Sequence, residues 1–144
     1  MPMTRALLAV AVLFAFLLPR SARADDLLII ANPSVGLTAP LTLNQIAAIY
    51  LLQTTNWPDG SHIVPVNREA TSDIRARFTA SVLKQDNASI AAYWNEMHFL
   101  GKQPPVVQES EKAMLAFIQR VPGAVGYINA STQPIDVKVL AHVP

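Results

Sequence analysis

The polar loop at residues 67–72 (NREATS) carries the residues whose types and spacing best suit chemistry. It joins the end of a predicted strand to the start of a predicted helix, where backbone N–H groups point outward and the helix dipole adds positive charge. Arg68 offers a planar donor fork for a carboxylate or phosphate, and the Ser72 hydroxyl can cap the helix or donate to an anion. Two interpretations stay open: an anion site, or an ordinary helix cap beside a surface arginine.

Other polar residues give weaker signals. Arg75 and Arg77 lie on the same predicted helix but two residues apart, so they do not share a face and at most one leans toward the loop. We otherwise expect both on a solvated helix surface. His62, His98 and His142 lack metal-ligand spacing, so structural or surface roles are expected and no metal is predicted.

Catalytic motifs are absent from the sequence. It contains no G-x-S-x-G, P-loop or G-x-G-x-x-G pattern, and the lack of cysteine excludes thiol nucleophiles and thiolate metal sites. Glu109 and Glu111 lie at a predicted helix start, where acidic side chains favour the dipole. We therefore expect a binding protein that is not an enzyme and needs no cofactor, with a small exported hydrolase as the weaker alternative.

The first 24 residues predict a secretory signal peptide. An unbroken apolar run at 6–18 follows Arg5, and an A-x-A cleavage pattern stands at 22–24. Arg20 interrupts the run before it reaches the roughly 20 apolar residues that a membrane span needs. The sequence thus predicts a leader at 1–24 and a single domain at 25–144, exported to the periplasm of a Gram-negative cell.

Removal of the leader would change the charge of the chain. It carries three arginines and no acidic residue, so cleavage would take the formal net charge from +1 to −2. Nucleic-acid-binding domains usually show a strong basic patch. Nucleic acid is therefore not expected as a partner.

Hydrophobic spacing predicts an α/β domain with the element order β-α-β-α-α-α-β-β. Thr42 and Gln45 form a capping-box pattern that opens the first helix. The predicted strands cover residues 27–31, 62–66, 125–128 and 137–140, and the predicted helices cover 42–53, 72–84, 87–100 and 111–121. Residues 101–107 are interpreted as a loop.

Several local signals refine this order. The apolar strand at 27–31 suits burial on both faces, as in a parallel sheet between helices. Pro65 places its strand at a sheet edge or places the proline at the strand's own end. Asn87 or Ser89 is the expected cap of the third helix. Trp57 begins a turn and is expected to be partly exposed, packing the turn or contacting a partner.

Three stretches, in this order, resemble the periplasmic phosphate-binding protein of ABC transporters. Residues 46–57 (IAAIYLLQTTNW) resemble that family's helix and tryptophan-containing turn. Residues 64–78 (VPVNREATSDIRARF) resemble its strand, arginine, Ser-Gly-Thr loop and following phenylalanine. Residues 117–128 (FIQRVPGAVGYI) are very close to its "PGAIGYV" segment, the most specific of the three. The resemblance covers residues 27–141.

The resemblance implies a single periplasmic-binding-protein-like lobe with a mixed, mainly parallel sheet flanked by helices. It also implies an anion-binding loop at Arg68, Thr71, Ser72, Asp73 and Ile74, with phosphate or a related oxyanion as ligand. Asp73 and Ile74 stand where the family has Gly-Thr, and the chain is about half the family's length.

Two main hypotheses follow from these features. The first is an exported phosphate- or oxyanion-binding protein, a solute-binding component or relative of a phosphate ABC transporter, with the missing lobe supplied by a homo-oligomer or a second protein. The second is a periplasmic accessory module that kept the lobe, lost the anion and contacts an envelope or ABC-transporter partner through Trp57 and the strand-end loops.

Overall fold

The computed structural model describes residue 23, residues 26–37 and residues 39–144. The strands are β1 (Leu27–Ala31), β2 (Val64–Arg68), β3 (Val106–Gln108), β4 (Ala124–Asn129) and β5 (Lys138–Val143). The helices are α1 (Leu43–Tyr50), α2 (Asp73–Phe78), which continues into a π-helical turn at Thr79–Leu83, α3 (Asn87–Phe99) and α4 (Glu111–Arg120). The predicted leader falls almost entirely outside the described residues and stays a prediction.

A five-stranded mixed sheet organises the domain, in the order β3-β2-β4-β1-β5. The predicted α/β class and mixed sheet are confirmed. β2 pairs in parallel with β3 and β4, whereas β1 pairs antiparallel with β4 and β5. The loop predicted at 101–107 was wrong at its end, because Val106 and Val107 enter β3. This three-residue strand is set by its pairing with β2, which no local pattern encodes.

The first strand shows how burial and pairing differ as signals. β1 is buried on both faces, as its apolar run predicts. Its neighbours on both sides are nevertheless antiparallel, so the expected parallel setting for this strand was wrong. A strand covered on both faces has an apolar sequence whether its neighbours are parallel or antiparallel, because burial depends on the helices that pack on the two faces of the sheet.

Helices cover both faces of the sheet and create two apolar cores. One face of β1 and β4 packs against α1 and α2, through residues that include Ile29, Tyr50, Phe78 and Tyr127. The other face packs against α4 through Ile30, Val66, Met114, Ile118 and Ile128. At Gly126 an added Cβ would lie 2.5 Å from Met114 Sδ, so the glycine lets α4 approach β4.

The helix starts follow ordinary capping chemistry. The Thr42 and Gln45 capping box is present, and Ser110 caps α4. The predicted cap of α3 was wrong, because Asp86 holds that position and its carboxylate accepts from the Ser89 N–H at 2.8 Å. Asparagine, serine and aspartate are nearly equal as caps, so spacing alone does not separate them.

Pro65 lies at the second position of β2, an interior strand, before the pairing with β3 begins at Val66. The second of the two expected positions, near the end of the strand, is therefore the observed one. Among the residues that the structure describes, none of the helices has both the length and the apolar character needed to span a bilayer.

Candidate functional site

Three parallel strands end at one edge of the sheet. Arg68 is the last residue of β2 and pairs with Gln108, the last residue of β3, while β4 ends at Asn129. The chain enters α2 shortly after β2 and α4 shortly after β3. In open α/β sheets, ligands bind outside the carboxyl ends of the strands. We call the polar residues here the carboxyl-edge cluster: Arg68, Glu69, Arg75, Arg77, Glu111 and Asn129.

Arg68 is the most enclosed cation of this cluster. Its backbone N–H donates to Asn67 Oδ1 at 3.0 Å and to the Tyr127 hydroxyl at 3.2 Å, which fixes the end of β2. Its side chain is 11% exposed and forms a two-pronged ion pair with Glu69. Arg68 Nε lies 2.9 Å from Oε2, and Nη2 lies 3.1 Å from Oε1. Hydrogen bonding from Arg68 lowers the pKa of the Glu69 carboxyl.

The predicted loop residues divide into three groups. Ser72 N–H donates to the Glu69 carbonyl at 3.0 Å, and Ser72 Oγ accepts from the Arg75 N–H at 3.4 Å, so Ser72 is the helix cap. Thr71 and Asp73 are exposed. Ile74 packs its side chain into the core. The structure thus brings Arg68, Glu69 and Ser72 together in one turn, and anion contact by any of these residues stays a prediction.

Both arginines of α2 reach back to strand ends. Arg75 Nη1 donates to the Arg68 carbonyl at 2.7 Å, and Arg77 Nη2 donates to Asn129 Oδ1 at 2.7 Å. The expectation that at most one of them leans toward the loop is not contradicted, since Arg75 contacts the end of β2 and Arg77 contacts the end of β4. Long side chains two residues apart on one helix thus reach the ends of two different strands.

Glu111 and Asn129 complete the cluster. The Glu111 carboxylate accepts from the Asn129 backbone N–H and, at 3.4 Å, from its side-chain amide. In the sequence, Glu111 looked like an acid placed for its helix dipole, and Asn129 gave no signal of a place beside the anion-binding loop. Only the pairing of β2, β3 and β4 brings residues this far apart in sequence to one edge.

Three aromatic rings pack in the core next to this edge. Phe78 stacks on Tyr127 with ring centroids 4.1 Å apart, and Tyr50 packs against Phe78 at 4.6 Å. The Tyr127 hydroxyl donates to Asn67 Oδ1, and the Tyr50 hydroxyl donates to the Val66 carbonyl at 2.8 Å. Burial raises the pKa of both tyrosines, so both hydroxyls stay neutral donors.

The opposite edge, formed by the amino-terminal ends of the parallel strands, is apolar. Trp57 is 4% exposed, and its indole Nε1 donates to the Gly123 carbonyl at 3.0 Å. The expected partial exposure of Trp57 was therefore wrong, because the turn folds the ring onto the start of β4. A cleft of about 530 Å³ opens beside it, lined largely by apolar side chains such as Leu37, Leu41 and Ile49.

No group of histidine and carboxylate side chains within the described part of the chain has metal-binding geometry. His142 instead pairs with Asp26, with 3.0 Å between Nε2 and Oδ2. The ionisable side chains of the carboxyl-edge cluster are three arginines and two glutamates. Such an arrangement can hold an oxyanion by hydrogen bonds and charge.

Comparison with solved structures shows the same fold. A candidate phosphate ABC transporter substrate-binding protein from Clostridium perfringens, solved with bound phosphate, aligns with a TM-score of 0.63 and 23% identity, covering 79% of this chain and 43% of its own. An ABC-type phosphate transport receptor from Vibrio cholerae aligns with a TM-score of 0.62 and 24% identity, covering 79% of this chain and 44% of its own. PstS from Borrelia burgdorferi aligns with a TM-score of 0.58 and 19% identity, covering 72% of this chain and 40% of its own.

The chain therefore spans less than half the length of the solved structures that it resembles. Among curated proteins, no sequence matches it significantly. The expected lobe fold is confirmed by the structural likeness. A family model for the PBP superfamily domain matches residues 18–141, most of the chain. The protein thus belongs to the PBP superfamily.

Proposed function

We propose that this protein binds phosphate or a related oxyanion at the carboxyl-edge cluster and is a relative of the solute-binding components of phosphate ABC transporters. The observation that carries the proposal is the position of Arg68. Its donor fork lies at the end of a central strand, at the edge where sheets of this kind bind ligands. Arginine forks match the oxygen spacing of phosphate and carboxylate.

The surroundings of Arg68 support an anion over a cation. Arg75 and Arg77 direct their guanidinium groups to the same edge, so that together with Arg68 three arginines face the two glutamates, Glu69 and Glu111. Thr71 and Ser72 add hydroxyl groups, and the backbone N–H groups of Asp73 and Ile74 are the further donors that we assign to the site. The cluster holds no nucleophile paired with a base, so we propose binding without catalysis.

The setting of this activity follows from the leader and the chain length. We propose export to the periplasm through cleavage after Ala24, which leaves the domain at 25–144. A single lobe leaves one side of the carboxyl edge open to water, where charged contacts are weakened. A second copy of the chain or an ABC-transporter partner would supply the missing wall.

Calorimetric titration with phosphate, and with sulfate as a second anion, tests the proposal. The protein is unfolded and refolded first to remove any carried ligand. We expect saturable phosphate binding that Arg68→Ala abolishes and that Arg68→Lys weakens, because lysine keeps the charge but loses the fork. Arg120→Ala is the matched control, since Arg120 is an exposed arginine at the end of α4.

Each outcome has a defined meaning. Binding that survives Arg68→Ala unchanged would place the anion elsewhere on the molecule. A complete lack of heat and of thermal stabilisation at millimolar phosphate would reject the anion-binding function. Thermal melting of both arginine variants shows whether a loss of binding reflects unfolding.

An interaction module without a ligand is the second candidate function. Phe99 and Leu100 at the end of α3 are 88% and 68% exposed, which is unusual for large apolar side chains. Substitution of both by serine should abolish cross-linking to an envelope partner in cells if this function is correct. Clear phosphate binding by a protein that forms no cross-link would count against it.

A further inference from the structure

A carboxylate of the chain already occupies the Nε and Nη2 side of the Arg68 guanidinium group. Both Glu69 oxygens are engaged, one by Arg68 Nε at 2.9 Å and one by Nη2 at 3.1 Å. Two parallel N–H···O bonds are the geometry that an arginine offers to a bound carboxylate or phosphate. Glu69 therefore lies where a ligand oxyanion would form its strongest contacts.

The turn keeps this carboxylate in place. Glu69 directly follows Arg68, so its effective concentration at the fork is high. The Ser72 N–H bond to the Glu69 carbonyl and the Arg75 bond to the Arg68 carbonyl, at 3.0 and 2.7 Å, hold the backbone on both sides. The carboxylate thus needs no rearrangement of the loop to reach the guanidinium group.

The two partners differ in their access to water. The Arg68 side chain is 11% exposed, whereas that of Glu69 is 29% exposed. The carboxylate can rotate away into solvent, while the guanidinium group stays at the end of β2. An incoming anion would gain paired contacts with Nε and Nη2 only after Glu69 leaves them, and would then lie near a displaced like charge.

We propose that Glu69 is an internal competitor that sets the affinity of the anion site, so that phosphate reaches Nε and Nη2 of Arg68 only by displacing the Glu69 carboxylate. This inference rests on the proposed function, since it concerns the same site. It predicts weak phosphate binding by the natural protein, and tighter binding once the charge of residue 69 is removed.

Titration of the protein and of Glu69→Gln with inorganic phosphate tests the proposal. We expect the variant to bind about tenfold more tightly, because a neutral amide competes less well for a charged donor. Glu69→Ala, which removes the competing group altogether, should bind at least as tightly as Glu69→Gln. Glu96→Gln is the matched control, since Glu96 is exposed on α3 and its change alters the net charge equally.

A second measurement follows the fork itself. The NMR signal of the Arg68 Nε–Hε group should shift between the natural protein and Glu69→Gln in the absence of phosphate. An unchanged signal would show that the ion pair does not form in solution, and the proposal would be wrong.

The possible results separate the two proposals. If the natural protein binds phosphate and Glu69→Gln binds no more tightly, Glu69 is not a competitor, although the anion site is real. If only Glu69→Gln binds, the competitor role is supported, whereas the proposal that the natural protein binds phosphate is rejected. If neither protein binds, both the competitor role and the anion-binding function are rejected.

Discussion

The two edges of the parallel strands are built by different chemistry. The carboxyl edge is closed by side-chain contacts among arginines, glutamates and an asparagine. The opposite edge is closed by an indole, a tight turn and backbone groups, with Val64 N–H donating to the Gly123 carbonyl at 3.1 Å. One edge therefore depends on ion pairs and hydrogen bonds that water or a ligand can replace, and the other depends on close packing.

The largest expected effect lies at the packed edge. Gly123 has a φ of +77°, and a Cβ added there would lie 2.2 Å from the His62 carbonyl oxygen. Gly123→Ala combines a backbone strain with a backbone clash, so we expect a loss of about 3 kcal/mol in the free energy of unfolding. Urea denaturation measures this loss.

Gly60→Ala is the matched control for this variant. Gly60 also has a positive φ, of +87°, but an added Cβ would meet nothing within 4 Å. We expect a loss of about 1 kcal/mol, which is the cost of the backbone conformation alone. Equal losses in the two variants would show that packing around Gly123 is looser than the structure indicates.

A smaller effect is expected beneath the carboxyl edge. Tyr127→Phe keeps the stacking on Phe78 but removes the hydroxyl that contacts Asn67 Oδ1 and the Arg68 N–H. Because Arg68 N–H keeps its bond to Asn67, we expect a loss of about 1 to 2 kcal/mol in unfolding free energy. Thermal and urea denaturation measure it.

Tyr93→Phe provides the comparison, since Tyr93 is half-buried and its hydroxyl donates to the Leu51 carbonyl at 2.6 Å, outside the carboxyl-edge cluster. Tyr93→Phe should lose about 1 kcal/mol or less in unfolding free energy. Only Tyr127→Phe should also weaken phosphate binding, by loosening the end of β2. Equal phosphate affinities in the two variants would contradict a positioning role for Tyr127.

The two edges also differ in how far the sequence predicts them. The turn at the packed edge, the capping box of Thr42 and Gln45 and the strand predicted at 125–128 depend on residues close together in the chain, and these predictions were confirmed, the strand being one residue longer at each end. The burial of Trp57 was missed because it depends on Gly123, distant in the sequence. Most contacts at the carboxyl edge likewise join residues that are distant in the sequence, so they were not predicted.

Arg68 and Ser72 were named as candidate site residues from one loop, but Glu111 and Asn129 were not. Their contact exists only once β2, β3 and β4 lie side by side, and β3 itself was mistaken for a loop. The side-chain directions of Arg75 and Arg77 likewise depend on where two strands end. The sequence thus predicts the loop that begins the site, while tertiary pairing decides what surrounds it.

The smallest expected effect concerns the pH dependence of the Arg68 and Glu69 pair. The pKa of Glu69 is lowered from its ordinary value of 4.5, first through hydrogen bonding from Arg68. A depressed folded-state pKa adds stability that is present above the unfolded value and is lost as the pH falls through the folded value. The natural protein should therefore exceed Glu69→Gln in stability at neutral pH by a small margin, since the carboxylate is solvent-accessible.

This margin should disappear as the pH falls below 4.5 and Glu69 takes up its proton. Urea denaturation of both proteins at a series of pH values measures it. In an Arg68→Ala background, the same Glu69→Gln change should have a smaller pH-dependent effect, because the largest cause of the lowered pKa is gone and only the Glu69 backbone N–H and Arg75 remain to lower it. A margin of undiminished size in that background would assign the effect to these other neighbours. It would also weaken the contrast between an exchangeable and a packed edge, since the charge of Glu69 would then be held by the wider cluster.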